Sequence, residues 1–337
     1  SFAQTLELPG ESGNSLSMEV YSVPPINLAK NMEFLRDYQY TCVEQLVSKA
    51  FPQLYLSQIA SITKKESAQS EAAVKEIINK LRSYQTVDGS MSYWPGSTDV
   101  QGWASVYTAH FLTEAIARGY SVPGSIYNGL INYLRRVARS FKNDNKNPVF
   151  SSEETTEAYR LFVLALARTP ELGAMNRLKE QQKLQQISRW LLASAYVLTG
   201  NRNVAKQLIA SRIFPSQYDW KDETFGSNLR DTSIRLITLC LLGNDSEAAA
   251  LATDISKSLS DENLWFSTQS RAFGLVAFAQ YLKKFKISGE MNFSYTYSGQ
   301  TIVQKSNRNL WSANIGNNLG KRTTVKFKND GQSTLFV

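Results

Sequence analysis

The chain has 337 residues, a formal net charge of +8, 42% hydrophobic and 20% charged residues, and only two cysteines. That length exceeds a single ordinary core, so one large domain with a smaller appendage is expected. The basic residues are scattered in short groups such as Lys64-Lys65, Arg135-Arg136 and Lys283-Lys284-Phe285-Lys286. This reads as a solvated basic surface, so no nucleic-acid partner is expected, and no apolar run approaches the roughly 18 residues needed to span a bilayer.

The N-terminus, Ser1-Phe2-Ala3-Gln4, lacks the basic and apolar regions of a signal peptide. It reads as a cut inside a longer protein. A turn is expected over Gly10-Glu11-Ser12-Gly13-Asn14-Ser15, followed by a strand over Leu16–Val23, where apolar and polar residues alternate. Pro24-Pro25 ends it, and residues 1–27 form a first β arm.

From Asn27 the pattern turns helical. Helices are expected over Leu28–Asp37, Cys42–Ala60 and Ser67–Tyr84, and another begins near Asp99. Five later segments are apolar nearly all round: Gly102–Arg118, Thr155–Arg168, Ile187–Leu198, Leu229–Leu242 and Thr268–Leu282. More polar helices, Gly124–Ser140, Val204–Arg212 and Asp245–Leu259, alternate with them. The apolar helices recur every ~35–50 residues, the range of helical-pair arrays. Apolar helices belong inside and amphipathic ones outside, which predicts a closed α/α toroid over residues 28–286. Past Lys286 the strand pattern returns, over Met291–Tyr297, from Val303 onward and over Thr323–Phe327, with turns at Ser298-Gly299, Asn317–Gly320 and Asn329–Gly331. Residues 287–337 are therefore a second β arm, which pairs with the first around the helical insert.

The chemistry concentrates in Tyr38-Gln39-Tyr40-Thr41-Cys42-Val43-Glu44-Gln45. Cys42 and Gln45, three residues apart at a helix start, share a face. Attack of the thiol on the glutamine amide, with loss of ammonia, yields an internal thioester: a stored acyl electrophile. The helix N-terminus is expected to lower the thiol pKa and to stabilise an oxyanion. It also favours an acid at Glu44, which reads as a positioning residue. Cys240, in Ile237-Thr238-Leu239-Cys240-Leu241-Leu242, reads as a small buried hydrophobe.

Tyr-x-Tyr-x-Cys-x-Glu-Gln resembles the thioester motif of the alpha-2-macroglobulin and complement family, most closely its bacterial branch. Two more segments extend the resemblance: Asp88–Gly96 followed by Trp103-Ala104-Ser105-Val106-Tyr107, and Leu264–Gln269 before the last toroid helix. Family members usually carry glycine before the cysteine and a small or apolar residue after it. Thr41 and Val43 are β-branched and stiff, so ring closure is expected to be tighter here.

The resemblance implies a thioester domain, an α/α toroid inserted in a CUB-type β-sandwich. It implies a thioester between Cys42 and Gln45, with Tyr38, Tyr40, Tyr93, Trp94 and Trp103 shielding it from water. The implied activity is suicide-type inhibition: a protease cleaves a bait segment elsewhere, the thioester is exposed, and the protease is captured covalently. The chain is then not an enzyme and needs no cofactor or metal. Its partners are target proteases and the other macroglobulin domains of the same chain, in a lipid-anchored, periplasmic or extracellular parent with a defensive role. His110 does not fall on the histidine position that relays the acyl group in complement-like relatives, so direct attack by an amine is expected. The rival reading is an α/α-toroid glycan hydrolase or lyase using Asp88, Asp99, Glu153 or Glu154 as an acid–base pair. A third keeps the family and loses the thioester, leaving an interaction or structural module.

Overall fold

A computed structural model describes residues 2–7, 15–142, 152–181, 184–210, 224–287, 289–317 and 322–337. Of the turns expected over Gly10–Ser15 and Asn317–Gly320, all but Ser15 and Asn317 lie outside these residues, as does the end of the Val204–Arg212 helix.

Helices α1 (Leu28–Asp37), α2 (Val43–Ala50), α3 (Leu56–Ile59), α4 (Lys64–Lys80), α5 (Gly102–Ala117), α6 (Gly124–Ser140) and α7 (Ser152–Leu166) form the first half of the helical block. The second half is α8 (Leu172–Lys179), α9 (Gln186–Leu198), α10 (Arg202–Ala210), α11 (Asn228–Leu242), α12 (Asp245–Ser260) and α13 (Thr268–Lys284). Local chemistry sets several ends. Thr63 and Glu66 form a reciprocal capping box at the start of α4. Ser267 Oγ accepts from the Ser270 N–H at the start of α13. Gly243, at φ 70°, closes α11 in the left-handed conformation that suits glycine.

The inner helices pack in a closed circuit: α2 on α5, α5 on α7, α7 on α9, α9 on α11, α11 on α13, and α13 back on α2. Helices α1, α4, α6, α8, α10 and α12 lie outside them. Burial follows this layering. Every residue from Trp103 to Thr113 in α5 is buried, whereas α6 buries one stripe including Ile126, Leu130, Leu134 and Ala138. Phe51, Tyr107, Phe111, Tyr159 and Phe273 fill the middle of the ring, with the Tyr107 and Phe273 rings stacked 5.4 Å apart. Such a pair contributes about 0.5–1.5 kcal/mol beyond its buried area. The fold is mainly α, an α/α toroid.

Three elements differ from expectation. The Cys42–Ala60 helix stops at Ala50, because Pro52 cannot continue it and starts a 3-10 turn over Pro52–Leu54 instead. Helix α8, short and polar, was not expected. Nor was β3 (Ala60–Ser61), a two-residue strand inside the helical region.

The strands join across the helical block. β1 (Phe2–Glu7) pairs antiparallel with β7 (Arg322–Asn329), which pairs with β4 (Glu290–Tyr297), and β4 with β5 (Gln300–Asn307). β2 (Ser15–Tyr21) pairs antiparallel with β6 (Leu310–Asn317), and β3 adds to β6 in parallel. A second core lies with these strands: Met18 and Val20 pack with Met291, Phe293, Tyr295, Trp311, Val325 and Phe327. The Phe293 ring meets Trp311 edge-on at 5.2 Å, linking strands of the two sheets.

Candidate functional site at the start of helix α2

The chain leaves α1 at Asp37 and runs extended to Cys42, the N-cap of α2 (φ −63°, ψ 160°). Three hydrogen bonds hold this approach. Lys49 Nζ donates to the Tyr38 carbonyl at 2.6 Å, the Tyr84 hydroxyl donates to the Thr41 carbonyl at 2.6 Å, and the Val43 N–H donates to the Tyr93 carbonyl at 3.0 Å. The last satisfies an N–H that a helix start would otherwise leave to solvent.

Cys42 and Gln45 engage each other directly. The Cys42 side chain accepts from the Gln45 backbone N–H, and Gln45 Oε1 accepts from the Cys42 N–H at 3.1 Å. This is a capping box with sulfur in place of the usual hydroxyl. It turns the carboxamide back toward the residue that bears the thiol.

The expected lowering of the thiol pKa does not hold. Burial, with Cys42 only 8% exposed, pushes it up to about 11. The N–H groups of Gln45 and Glu44 act downward, and the Glu44 charge adds to the rise. A helix N-terminus depresses a pKa strongly only where the thiolate keeps some solvation.

Glu44 is also unlike the solvated first-turn acid that dipole preference describes. It is buried, and burial raises its pKa to about 7. Its oxygens are held by hydroxyls from two helices. Ser48 Oγ donates at 2.7 Å, and Thr268 Oγ1, in the first turn of α13, lies 3.1 Å from both oxygens. Ser48 is in turn 3.2 Å from the Tyr107 hydroxyl of α5. One carboxyl thus ties α2 to both of its neighbours in the ring.

The five aromatic residues fall in three settings. Tyr38 is half-buried, its ring 5.6 Å from Phe34 and 5.9 Å from Tyr40. Tyr93 is half-buried, edge-on to Phe225. Tyr40 and Trp94 face solvent, 65% and 52% exposed. Trp103 is in the toroid interior, 4.9 Å from Tyr159 and beneath the Arg230 guanidinium.

The Asp88-Gly89-Ser90 turn shapes the loop that presents Tyr93. Asp88 Oδ1 accepts from the Ser90 N–H (3.0 Å), the Ser90 hydroxyl (2.8 Å) and the Thr86 hydroxyl (2.6 Å). Gly89, at φ 92°, lies so close to α6 that a Cβ there would sit 2.4 Å from the Gly129 carbonyl oxygen. Asp88 is therefore occupied in a turn. Glu154 accepts from the Gln185 N–H at 2.9 Å. Asp99 and Glu153 are exposed.

His110 is buried, its Nδ1 2.8 Å from the Tyr159 hydroxyl, and burial lowers its pKa to about 4. Cys240 is buried in α11, and both cysteines are free thiols. Among the described residues, no group of His, Cys, Asp and Glu is placed to hold a metal, and no helix is long and apolar enough to cross a membrane.

Residue reading missed Tyr84, Lys49, Ser48 and Tyr107. Ser48, four residues after Glu44, was within reach of a helical-spacing argument. Lys49 lies on α2 itself and reaches back to the Tyr38 carbonyl, whereas Tyr84 and Tyr107 meet the site through tertiary packing.

An α/α toroid flanked by strands that pair across it, with Cys42 and Gln45 in mutual contact at an inner-helix start, defines the class of chain. It is homologous to the bacterial alpha-2-macroglobulins. It is 26% identical to alpha-2-macroglobulin of Escherichia coli K12 over 335 residues, covering 93% of this chain and 19% of that one. It is 25% identical to a Xylella fastidiosa alpha-2-macroglobulin over 283 residues, 78% of this chain and 17% of the relative. The chain thus spans about a fifth of the length of these relatives. Among solved structures, Salmonella alpha-2-macroglobulin reacted with methylamine superposes with a TM-score of 0.76 at 22% identity, over 99% of this chain and 23% of that one. Trypsin-activated E. coli alpha-2-macroglobulin gives 0.63 at 22% identity, over 99% and 24%. No family model matches the chain.

Proposed function

We propose that this chain is the thioester-bearing part of a protease inhibitor that captures its target covalently. The observation that supports this best is the reciprocal contact of Cys42 and Gln45 at the start of α2. In this reading the Cys42 sulfur bonds to the Gln45 side-chain carbonyl carbon, the C–N bond breaks, and ammonia leaves with the thiol proton. The resulting acyl group is held by residues that exclude water. Tyr38 and Tyr93 shield it from the chain itself. Exposed Tyr40 and Trp94 contribute once another macroglobulin domain of the same protein lies over this end of the toroid.

Cleavage of a bait segment elsewhere uncovers the bond. A lysine amine on the protease then attacks the Gln45 carbonyl, forming an amide and releasing the Cys42 thiol. The inhibitor is consumed, so it acts stoichiometrically and not as an enzyme. His110, sealed against Tyr159, is outside this sequence of steps. We read residues 1–27 and 287–337 as one CUB-like unit and 28–286 as the thioester domain. We place the parent protein, lipid-anchored, at the cell envelope in the periplasm or outside the cell, where proteases are encountered.

The test is the intact mass of the protein before and after methylamine, with Cys42→Ala as control. A mass short by one ammonia, replaced on treatment by added methylamine and one new titratable thiol, is the expected result. A full mass with a free thiol from the outset overturns the reading.

A further inference from the structure

We infer that Thr268 is a positioning residue for thioester closure, acting on Cys42 and Gln45 through the buried carboxyl of Glu44. This rests on the thioester reading above and adds a residue to it.

Glu44 lies between the two reacting residues in sequence, in the first turn of α2. Its rotation about the helix axis therefore sets theirs. Nothing local fixes that rotation strongly: the turn is the first of a helix of only eight residues, and frayed ends are the rule. The Val43 N–H bond to the Tyr93 carbonyl holds the turn's backbone on the α5 side, and on the carboxyl side the rotation is fixed by the pair of hydroxyls from outside and from the next turn. Ser48 Oγ, at 2.7 Å, belongs to α2 itself and passes the contact on to Tyr107 of α5 at 3.2 Å. Thr268 Oγ1 reaches both carboxyl oxygens at 3.1 Å from 224 residues away. It registers the first turn of α2 against the first turn of α13.

The surroundings make this bond count. Glu44 and Thr268 are 3% and 4% exposed, so water does not replace a lost partner readily. Thr268 itself is fixed: Ser267 caps α13 by accepting from Ser270, and the Ser270 hydroxyl is 2.7 Å from Ser227 in front of α11. The Ser267-Thr268-Gln269 segment, which the capture chemistry does not use, thereby gains a role at the site.

The test is made in the full-length protein. The fraction lacking one ammonia and the rate of opening by methylamine are measured for wild type, Thr268→Val, Thr268→Ser and Ser48→Ala, with thermal midpoints alongside. Thr268→Val is expected to lower the closed fraction or speed opening by up to about tenfold, the upper end of the scale for one ordinary hydrogen bond. Thr268→Ser, which keeps the hydroxyl, is expected to restore wild-type behaviour within about twofold, since it removes only a methyl group.

A Thr268→Val protein that melts earlier yet closes and opens as wild type overturns the inference, as does a Thr268→Ser protein as impaired as Thr268→Val. If Thr268→Val does not fold, Thr268→Ala replaces it with the same expectations and the same overturning results. A wild-type protein with no ammonia deficit overturns the thioester reading and this inference with it.

Discussion

The Val43 N–H donates to the Tyr93 carbonyl at 3.0 Å, so a loop before α5 supplies a cap to the helix that begins after Cys42. The loop can do this because it is built stiffly. The Met91 N–H donates to Ser105 Oγ at 2.8 Å, and the Ser92 hydroxyl donates to the Tyr84 and Trp94 carbonyls at 3.0 and 2.7 Å. The geometry around the thiol thus depends on residues some fifty positions downstream.

Gly89→Ala tests that dependence. The left-handed φ and the 2.4 Å approach to Gly129 oppose any side chain. The substitution is expected to destabilise the protein by about 1–3 kcal/mol, read as a lowered urea midpoint. Stability equal to wild type would show that the turn yields without strain.

Tyr84→Phe removes the hydroxyl that donates to the Thr41 carbonyl and leaves the ring in place. The expected loss is about 1 kcal/mol, together with faster methylamine opening if the Cys42–Gln45 bond is present. An unchanged opening rate would confine Tyr84 to packing.

Glu44→Gln is expected to flatten one part of the pH dependence of stability. The folded carboxyl pKa, about 7, lies above the ordinary value of 4.5. The unfolded chain therefore releases this proton first. The contribution is fully present below pH 4.5 and is lost as pH rises through about 7. At roughly 1.4 kcal/mol per pKa unit, this is about 3 kcal/mol. Urea midpoints of wild type and Glu44→Gln between pH 4 and 8 check it; parallel profiles would contradict it.

His110 gives the opposite slope. Its folded pKa, about 4, lies below the ordinary 6.5, so the unfolded chain takes up the proton first. Stability present above pH 6.5 is lost as pH falls through about 4, again about 3 kcal/mol in all. His110→Gln is expected to lose stability at neutral pH and to show a weaker acid dependence. An acid limb as steep as wild type would place the sensitivity elsewhere.

The thiol of Cys42, when not acylated, is expected to alkylate slowly at pH 7 and faster as pH rises toward about 11. Iodoacetamide labelling of the native protein, followed by mass, measures this. Rapid labelling at pH 7 would mean that the pocket opens on that timescale.

Much of this architecture was readable from residues because it rests on local pattern. The all-round apolar character of α5 and the single apolar stripe of α6 are both plain in the sequence, and the inner and outer layers follow from them. The i, i+3 spacing of Cys42 and Gln45 likewise announces their contact. The end of α2 was not readable, since the apolar spacing from Val43 to Ile59 runs on through Pro52, which settles as the first residue of a 3-10 turn. The environment of Glu44 was hidden for a different reason. An acid in a first turn looks like a solvated dipole partner, and only the closure of the ring buries it beneath Thr268. Trp94 and Trp103 look alike as tryptophans near a motif, yet one faces water and the other the toroid interior.

The ring closes by setting its last inner helix, α13, against its first, α2. During synthesis these two are far apart in time. At roughly 5–20 residues per second, the 224 residues between Glu44 and Thr268 take on the order of ten seconds or more. For all of that interval the first turn of α2 lacks the Thr268 partner of Glu44. A nascent chain arrested before residue 268 is therefore expected to carry an unacylated Cys42, measurable by thiol labelling on the ribosome. On the proposed thioester reading, the bond would form late, when almost the whole chain has been made.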